Sequence, residues 1–273
     1  MQIPEGLPSE GGTFTARDGT VLAYWRIGTG TPLVVCHGSF STARDWVPFA
    51  AELAGAHAVY VYDRRGRGAS PRAGDFAIDA EVDDLAAMIE IAGPGAAIVG
   101  HSFGGGCALS FAARGGFAGP LALYEPRHAL RGPVSRGHIP ELAALLAEGD
   151  REAALLYALR AIVGAPDAGV AAFRASPLWG PMCDTVAAFP NELRLLDTLC
   201  WQPGDLDPIR GPVTLLVGEQ SPVLPDETSP DAALRALLPR MRTVAVPGQG
   251  HFAFAAAPAL LAEMVGRCLE EPA

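Results

Sequence analysis

The sequence predicts an α/β fold: a mostly parallel sheet covered by helices on both faces, with a helical cap inserted between two strands. Short apolar runs alternate with helical patterns along most of the chain, an order typical of parallel strands joined by crossover helices. From about residue 127 to residue 210 only helical patterns follow one another. The 273 residues, 49% of them hydrophobic, can bury a large core. We therefore expect residues 1–126 and 211–273 to form the core and residues 127–210 the cap; an independent helical domain is the alternative.

The part before the insertion carries strand and helix patterns in alternation. Asp18-Gly19 is the dipeptide of a tight hairpin turn, which makes the first two strands antiparallel. The continuous apolar run 33–36 suits a strand covered on both faces. Residues 78–91 place Val82, Leu85 and Ile89 on one helical face. The predicted strands are 13–17, 20–25, 33–36, 58–62, 96–99 and 121–124. The predicted helices are 44–54, 78–91 and 106–113.

The insertion contains helical patterns that the run Pro177-Leu178-Trp179-Gly180-Pro181 interrupts. Its predicted helices are 140–148, 150–163, 166–176 and 189–199. The alternation then resumes with strand 213–218, helix 229–238, strand 242–246 and helix 258–269. The last part of the chain is therefore expected to rejoin the sheet.

Composition excludes several classes of function. The formal charge of −10 disfavours nucleic acid or an anionic membrane surface as a partner. All 20 basic residues are arginine, which excludes Schiff-base lysine chemistry and a Walker A loop. The five cysteines are widely spaced and form no C-x-x-C pair, which favours reduced thiols. The amino terminus has no signal-peptide pattern, and no apolar run has the length of a membrane span. We therefore predict a soluble cytoplasmic protein. We expect a monomer or homodimer.

The segment Gly100-His101-Ser102-Phe103-Gly104 lies between a predicted strand and a predicted helix. The pattern G-x-S-x-G in this context is typical of a nucleophile elbow, a sharp turn that presents a serine hydroxyl. The alternative is a plain glycine-rich turn. The surrounding strand and helix signals favour Ser102 as a nucleophile.

Four landmarks occur in order: His37-Gly38 after the third strand, the turn Asp63-Arg64-Arg65-Gly66-Arg67-Gly68 after the fourth, the serine elbow, and Gly248-Gln249-Gly250-His251 near the end. In this layout the chain resembles the α/β-hydrolase superfamily, in its serine-nucleophile branch, over nearly its whole length. The resemblance implies an α/β-hydrolase fold. The arginine-rich turn is interpreted as solvated or structurally paired, because other parts of a nucleotide pocket are missing.

The resemblance also implies roles for individual residues. Ser102 is the expected nucleophile and His251 the general base, which agrees with the need of a serine hydroxyl for a base within about 3 Å. The backbone N–H groups of Phe103 and Ser39 match the two donors of an oxyanion hole. Phe40 is expected to line this position or to supply its second donor.

The third member of the triad departs from the common pattern. Where many relatives have an acid, after the strand 213–218, this chain has Ser221. We expect Glu125, at the carboxyl end of the preceding strand, to take its place, as in some superfamily branches. Asp226 or Glu219 could instead fold back from the Ser221 loop, or the chain could lack a working acid. The other interpretation of Glu125 is a salt bridge to Arg127 or another cap arginine.

The remaining candidates concern the substrate. Phe40, His37 and Trp179 are expected to contact it, although His37 and His101 are also suited to shaping the loops they adjoin. The aromatic residues of the insertion favour a small hydrophobic molecule as the substrate. The histidines have no neighbours at metal-ligand spacing, so we expect neither a metal nor a cofactor.

A serine at the elbow argues against halide and epoxide cleavage, for which relatives use aspartate. The leading hypothesis is hydrolysis of an ester, lactone or thioester through an acyl-enzyme. One alternative is a non-hydrolytic reaction in the same pocket, such as carbon–carbon cleavage, lyase chemistry, cyclisation or acyl transfer in secondary metabolism. The other is a catalytically inactive ligand-binding relative.

Overall fold

The computed structural model describes residues 4–71, 76–221 and 232–270. The strands in these ranges are β1 Ser9–Thr15, β2 Val21–Ile27, β3 Thr31–Cys36, β4 His57–Tyr62, β5 Ala97–His101, β6 Leu121–Tyr124, β7 Val213–Gly218 and β8 Arg242–Val246. They form one sheet in the order β1-β2-β4-β3-β5-β6-β7-β8.

The predicted hairpin opens the sheet. Strands β1 and β2 pair antiparallel around the Asp18-Gly19 turn, with Thr15 opposite Val21. The Asp18 carboxylate accepts the Thr20 N–H at 2.9 Å and closes the turn. Strand β2 is also antiparallel to β4. The remaining neighbours in the sheet, β4-β3-β5-β6-β7-β8, are all parallel.

The middle strands are covered on both faces. Every residue of β5 and β6 is buried, and so are residues 33–36 of β3. Since successive side chains of a strand point to opposite faces, burial at every position requires cover on both. Parallel strands also end at the same edge, so the carboxyl ends of β3, β5, β6 and β7 lie together. The candidate site lies at this edge of the sheet.

The helices of the core follow the predicted alternation. Helix α2 buries Val82, Leu85 and Met88 on one face, as its spacing predicts. The helices before the insertion are α1 Val47–Leu53, α2 Ile78–Ala92 and α3 Phe103–Ala113. Helix α1 is preceded by a 3₁₀ turn, Ala43–Trp46. Among the described residues, no helix has the length and apolar character needed to cross a bilayer.

Residues 127–210, all of them described, connect β6 to β7 through helices. These are α4 Ile139–Ala147, α5 Arg151–Tyr157, α6 Asp167–Arg174, α7 Trp179–Thr185 and α8 Phe189–Thr198. A π-helical stretch, Ala158–Val163, continues α5. The helices are interrupted at 175–178, which overlaps the predicted run 177–181. Helix α7 begins within that run, because proline is tolerated in the first turn of a helix.

After β7 the structure describes α9 Ala232–Leu237, α10 Ala253–Ala256 and α11 Pro258–Glu270. The start of the predicted helix 229–238 lies outside the described residues. The short helix α10 was not predicted, because four residues carry too little periodicity to be recognised.

Candidate active site

The turn between β5 and α3 holds Ser102 in an uncommon backbone conformation, with φ 53° and ψ −118°. Helix α3 begins very close to both β3 and β5. A Cβ on Gly104 would lie 2.1 Å from the Cys36 carbonyl oxygen, and a Cβ on Gly100 would lie 2.8 Å from the Gly105 Cα. The two glycines therefore permit the sharp turn that presents the serine hydroxyl.

A chain of hydrogen bonds joins Ser102 to His251 and Glu125. The Ser102 hydroxyl donates to His251 Nε2 at 3.0 Å, and His251 Nδ1–H donates to Glu125 Oε2 at 2.6 Å. All three residues are buried, with at most 9% of each exposed. Because Nδ1 carries the proton, Nε2 offers its lone pair to the hydroxyl, as a general base must.

Glu125 is fixed by the ends of two strands. Its N–H donates to the Leu216 carbonyl at 3.1 Å, and its Oε1 accepts the Gly218 N–H at 2.8 Å. Burial alone would raise the pKa of Glu125, but the hydrogen bond and charge of His251, together with the charge of Arg127, lower it to about 2. The carboxylate is therefore ionised at neutral pH.

Of the other acid candidates, the structure describes only Glu219, whose carboxylate has a different partner. Ser221, in the loop after β7, donates its hydroxyl to Glu125 Oε1, a contact that sequence reasoning missed. Glu219 is exposed and accepts the Gly248 N–H at 2.9 Å. Asp226 lies outside the described residues. Glu125 also does not form the salt bridge to Arg127 that was its alternative, since its partners are those given above.

The loop that carries His251 is held by two side chains of the neighbouring strands. His101 Nε2–H donates to the His251 carbonyl at 2.9 Å, and the Tyr124 hydroxyl donates to the Gly250 carbonyl. The Ala253 N–H donates back to Tyr124 at 3.3 Å. Burial lowers the pKa of His251, and the charge of Arg127 adds to this, while the Glu125 hydrogen bond opposes it. His251 is therefore neutral at neutral pH.

The loop after β3 is held through its carbonyl groups. Arg64 Nη1 donates to the His37 and Gly38 carbonyls at 3.4 and 3.3 Å, and Arg67 Nε donates to the Ser39 carbonyl at 3.3 Å. Ser39 and Phe40 line the cavity beside Ser102. The carbonyl groups of residues 37–39 are therefore occupied, whereas the Ser39 N–H has no hydrogen-bond partner among the described residues.

The expectation that His37 contacts the substrate does not fit the structure. Its side chain is fully buried, its Nδ1–H donates to the Gly38 carbonyl at 2.9 Å and its Nε2 accepts the Arg64 N–H at 3.2 Å. Both ring nitrogens are thus occupied within the protein. His37 shapes the loop, which is the other role that the sequence allowed.

A cavity of about 240 Å³ opens on Ser102 and His251. Phe40 lines it as predicted, and its ring lies 4.5 Å from that of Phe189 on α8. Trp179, which was expected to contact the substrate, is not among the residues that line this cavity. The insertion contributes Ile162, Val163, Phe189 and Leu196 instead.

A profile of the alpha/beta hydrolase family matches residues 33–264. The chain belongs to the alpha/beta hydrolase family. An alpha/beta hydrolase from Sphaerobacter thermophilus DSM 20745 has a solved structure that is 31% identical, covers 94% of this chain and 99% of its own, and gives a TM-score of 0.79. The family and the fold predicted from the sequence are thereby confirmed.

Curated relatives match a shorter part of this family member. Lipase LipV of Mycobacterium tuberculosis (strain ATCC 25618 / H37Rv) is 37% identical over 114 residues, which are 41% of this chain and 43% of LipV. The non-heme chloroperoxidase of Streptomyces lividans is 38% identical over 109 residues, 38% of this chain and 39% of that protein. The matched part therefore spans about two fifths of each relative's length.

In this alpha/beta hydrolase the arginine-rich turn is buried and paired. Arg64 binds Glu81 on α2 with two hydrogen bonds of 3.0 and 2.9 Å and lies 4.1 Å from the Phe103 ring centroid. Its Nη2 also lies 2.7 Å from Glu192 on α8, and Arg67 Nη2 lies 2.8 Å from the same carboxylate oxygen. The turn is thus structurally paired, and it joins the insertion to the loop after β3.

Sequence reasoning missed the cavity walls of this family member. Helical spacing shows that Phe189 and Leu196 lie on an apolar face, but not what that face contacts. Among the described residues, no cluster of three or more His, Cys, Asp or Glu side chains could hold a metal ion.

Proposed function

We propose that this protein is a serine hydrolase that cleaves an ester, lactone or thioester with an apolar part, through an acyl-enzyme. The observation that carries the proposal is the continuous hydrogen-bond chain from the Ser102 hydroxyl through His251 to the Glu125 carboxylate, beside a cavity whose lining includes apolar side chains of the insertion. The match to lipase LipV also supports an ester-cleaving activity.

In the first half of the reaction the Ser102 oxygen attacks the substrate carbonyl while its proton passes to His251 Nε2. Glu125 stabilises the imidazolium that forms, because its carboxylate accepts the Nδ1–H. The oxyanion is bound by the N–H groups of Phe103 and Ser39. Phe103 is the first residue of α3, and the first N–H groups of a helix have no partner within it. His251 then gives its proton to the leaving alcohol or thiol.

In the second half a water molecule takes the position of the leaving group. His251 removes its proton, and the resulting hydroxide attacks the acyl-enzyme carbonyl. The tetrahedral intermediate collapses, the proton returns to Ser102, and the carboxylic acid leaves. The same residues and the same oxyanion donors therefore serve both halves.

The insertion 127–210 serves as the cap in this proposal. Val163, Phe189 and Leu196 come from it and line the cavity that Ser102 shares. Apolar walls favour an apolar acyl or alcohol part and keep water away from the reacting carbonyl.

A serine-directed fluorophosphonate tests the proposal. We expect it to label Ser102 in the wild type and in a Ser110→Ala control, which removes another serine on α3, but not in Ser102→Ala. Ser102→Ala and His251→Gln should each lower hydrolysis of 4-nitrophenyl butyrate at least 10³-fold. Full turnover by Ser102→Ala would overturn the proposal and favour the non-hydrolytic alternative. An absence of both labelling and turnover in the wild type would favour an inactive relative.

A further inference from the structure

Arg127 introduces a positive charge into the cavity that the proposed mechanism does not use. It lies two residues after Glu125, and its backbone N–H donates to the Ser102 carbonyl at 3.0 Å. Its position is therefore fixed relative to the candidate nucleophile. The residue is partly buried and lines the same cavity as Ser102 and His251.

Within the described part of the chain, no carboxylate forms an ion pair with the Arg127 guanidinium. Glu125, the nearest acid along the chain, accepts hydrogen bonds from His251, Gly218 and Ser221 instead. A guanidinium partly withdrawn from water without a counter-ion is unfavourable, and a bound anion relieves that cost. The cavity is thus suited to a ligand that brings its own negative charge.

The positive charge of Arg127 shifts the pKa values of other groups that line the cavity. It lowers the pKa of His251 and of Glu125, and burial together with Arg127 and Arg131 lowers the pKa of His128 to about 4. His128 is therefore neutral at neutral pH. The local positive field contrasts with the formal charge of −10 of the whole chain.

We propose that Arg127 binds a carboxylate of the substrate, so that the preferred substrate is an ester that also carries a free carboxylate. A planar guanidinium can bind both oxygens of a carboxylate, which fixes its orientation. The apolar walls contributed by Val163, Phe189 and Leu196 suit the hydrocarbon between the two groups. The half-ester of an aliphatic dicarboxylic acid has this chemistry. The inference rests on the proposed ester hydrolysis.

Two esters of equal chain length test it, 4-nitrophenyl hexanoate and the mono-4-nitrophenyl ester of adipic acid. Assays run at pH 8, above the ordinary pKa of a histidine, so that a change in the His251 pKa affects the comparison least. We expect the wild type to prefer the adipate half-ester. Arg127→Gln should lower kcat/KM for the half-ester about 10- to 100-fold, mainly through KM, and should change the hexanoate value less than threefold. Arg114→Gln is the control, because Arg114 is exposed, pairs with Asp79 and Asp83 and does not line the cavity.

An equal loss for both esters would overturn the inference, because Arg127 would then act on the catalytic groups and not on the substrate. So would a wild-type preference for hexanoate. Calorimetric binding of the adipate half-ester to Ser102→Ala separates this result from the proposed function, since binding needs no turnover. Binding that Arg127→Gln weakens tenfold supports the inference even if neither ester is hydrolysed. Binding that it leaves unchanged contradicts the inference even if both are.

Discussion

Glu125 combines an unusual backbone with a dense set of partners. Its φ is 45°, in a region that few non-glycine residues adopt. Three hydrogen bonds hold this conformation in place. The Glu125 N–H donates to the Leu216 carbonyl, and the carboxylate accepts from Gly218 and His251. Such strain is retained where the surrounding contacts fix it. The backbone of this single residue therefore directs a carboxylate from the end of β6 to the far ring nitrogen of His251.

Glu125→Gln should lower kcat about 10²- to 10⁴-fold, because an amide can accept the Nδ1–H bond but cannot stabilise the imidazolium as a carboxylate does. Asp226→Asn is the comparison, since Asp226 was the main alternative from the loop after β7. It should change kcat less than threefold. The measurement is steady-state hydrolysis of a 4-nitrophenyl ester. Equal effects, or a larger loss in Asp226→Asn, would contradict the assignment of Glu125.

The pH profile gives a second readout of the same variant. The pKa of His251 is lowered by burial, so kcat/KM should fall only below pH 6.5, where the ring takes up a proton. The Glu125 hydrogen bond raises that pKa. The negative charge of Glu125 raises it too. Glu125→Gln removes that charge and lowers the pKa of His251 further, so its acid limb should move to lower pH. A limb that moves to higher pH would show that Glu125 does not favour the charged ring.

At the scale of elements, the turn between β4 and α2 connects three parts of the chain. Arg64 bonds to Glu81 on α2, to Glu192 on α8 and to the carbonyls of the loop after β3. These charges are fully buried, so each depends on its partners. Glu192 of the insertion therefore contacts the arginine that holds the loop with a proposed oxyanion donor, although Arg64 and Glu192 are 128 residues apart in the sequence.

Glu192→Gln should lower kcat about tenfold with less than a threefold change in KM, because removing its charge loosens the arginines that hold the loop carbonyls. Asp84→Asn is a matched control. Asp84 binds Arg65 of the same turn through two hydrogen bonds of 2.7 Å and is equally buried, and Arg65 also pairs with Asp18 of the β1–β2 turn. Both variants should unfold at lower temperature, and only Glu192→Gln should lose kcat. A parallel loss of kcat in both would indicate a general effect of stability.

The elements also show which features the sequence could predict. The serine turn was predicted because its strand, glycines and helix are contiguous, so local sterics define it. The choice among Glu125, Asp226 and Glu219 stayed open because it depends on which strand end meets His251, a contact 126 residues apart. Trp179 and His37 do not line the cavity in which they were expected, for a related reason. An aromatic or imidazole ring suits both a cavity wall and a packed interior, and only the tertiary structure decides between them.

At the scale of the whole molecule, the chain has buried histidines that must take up protons when it unfolds in acid. Burial is the first cause that lowers the pKa of His37, His101, His128 and His251. The folded state therefore binds fewer protons than the unfolded state just below pH 6.5. Their contribution to stability is complete above that pH and is lost as the pH falls towards the folded pKa values.

The free energy of unfolding should consequently fall by several kcal/mol between pH 7 and pH 5, since each such histidine contributes up to about 1.4 kcal/mol per pH unit in this window. Asp84 opposes this, because burial raises its pKa to about 6 and the folded state then takes up a proton. Burial also raises the pKa of Asp45 and Asp63, which oppose the loss in the same way. These three carboxyl groups are fewer than the four histidines, so the sign is unchanged. Urea unfolding at pH 7, 6 and 5 measures the slope, and His128→Gln should make it shallower. A stability that rises towards pH 5 would mean that these rings already carry protons in the folded protein, which would also remove His251 as a neutral base.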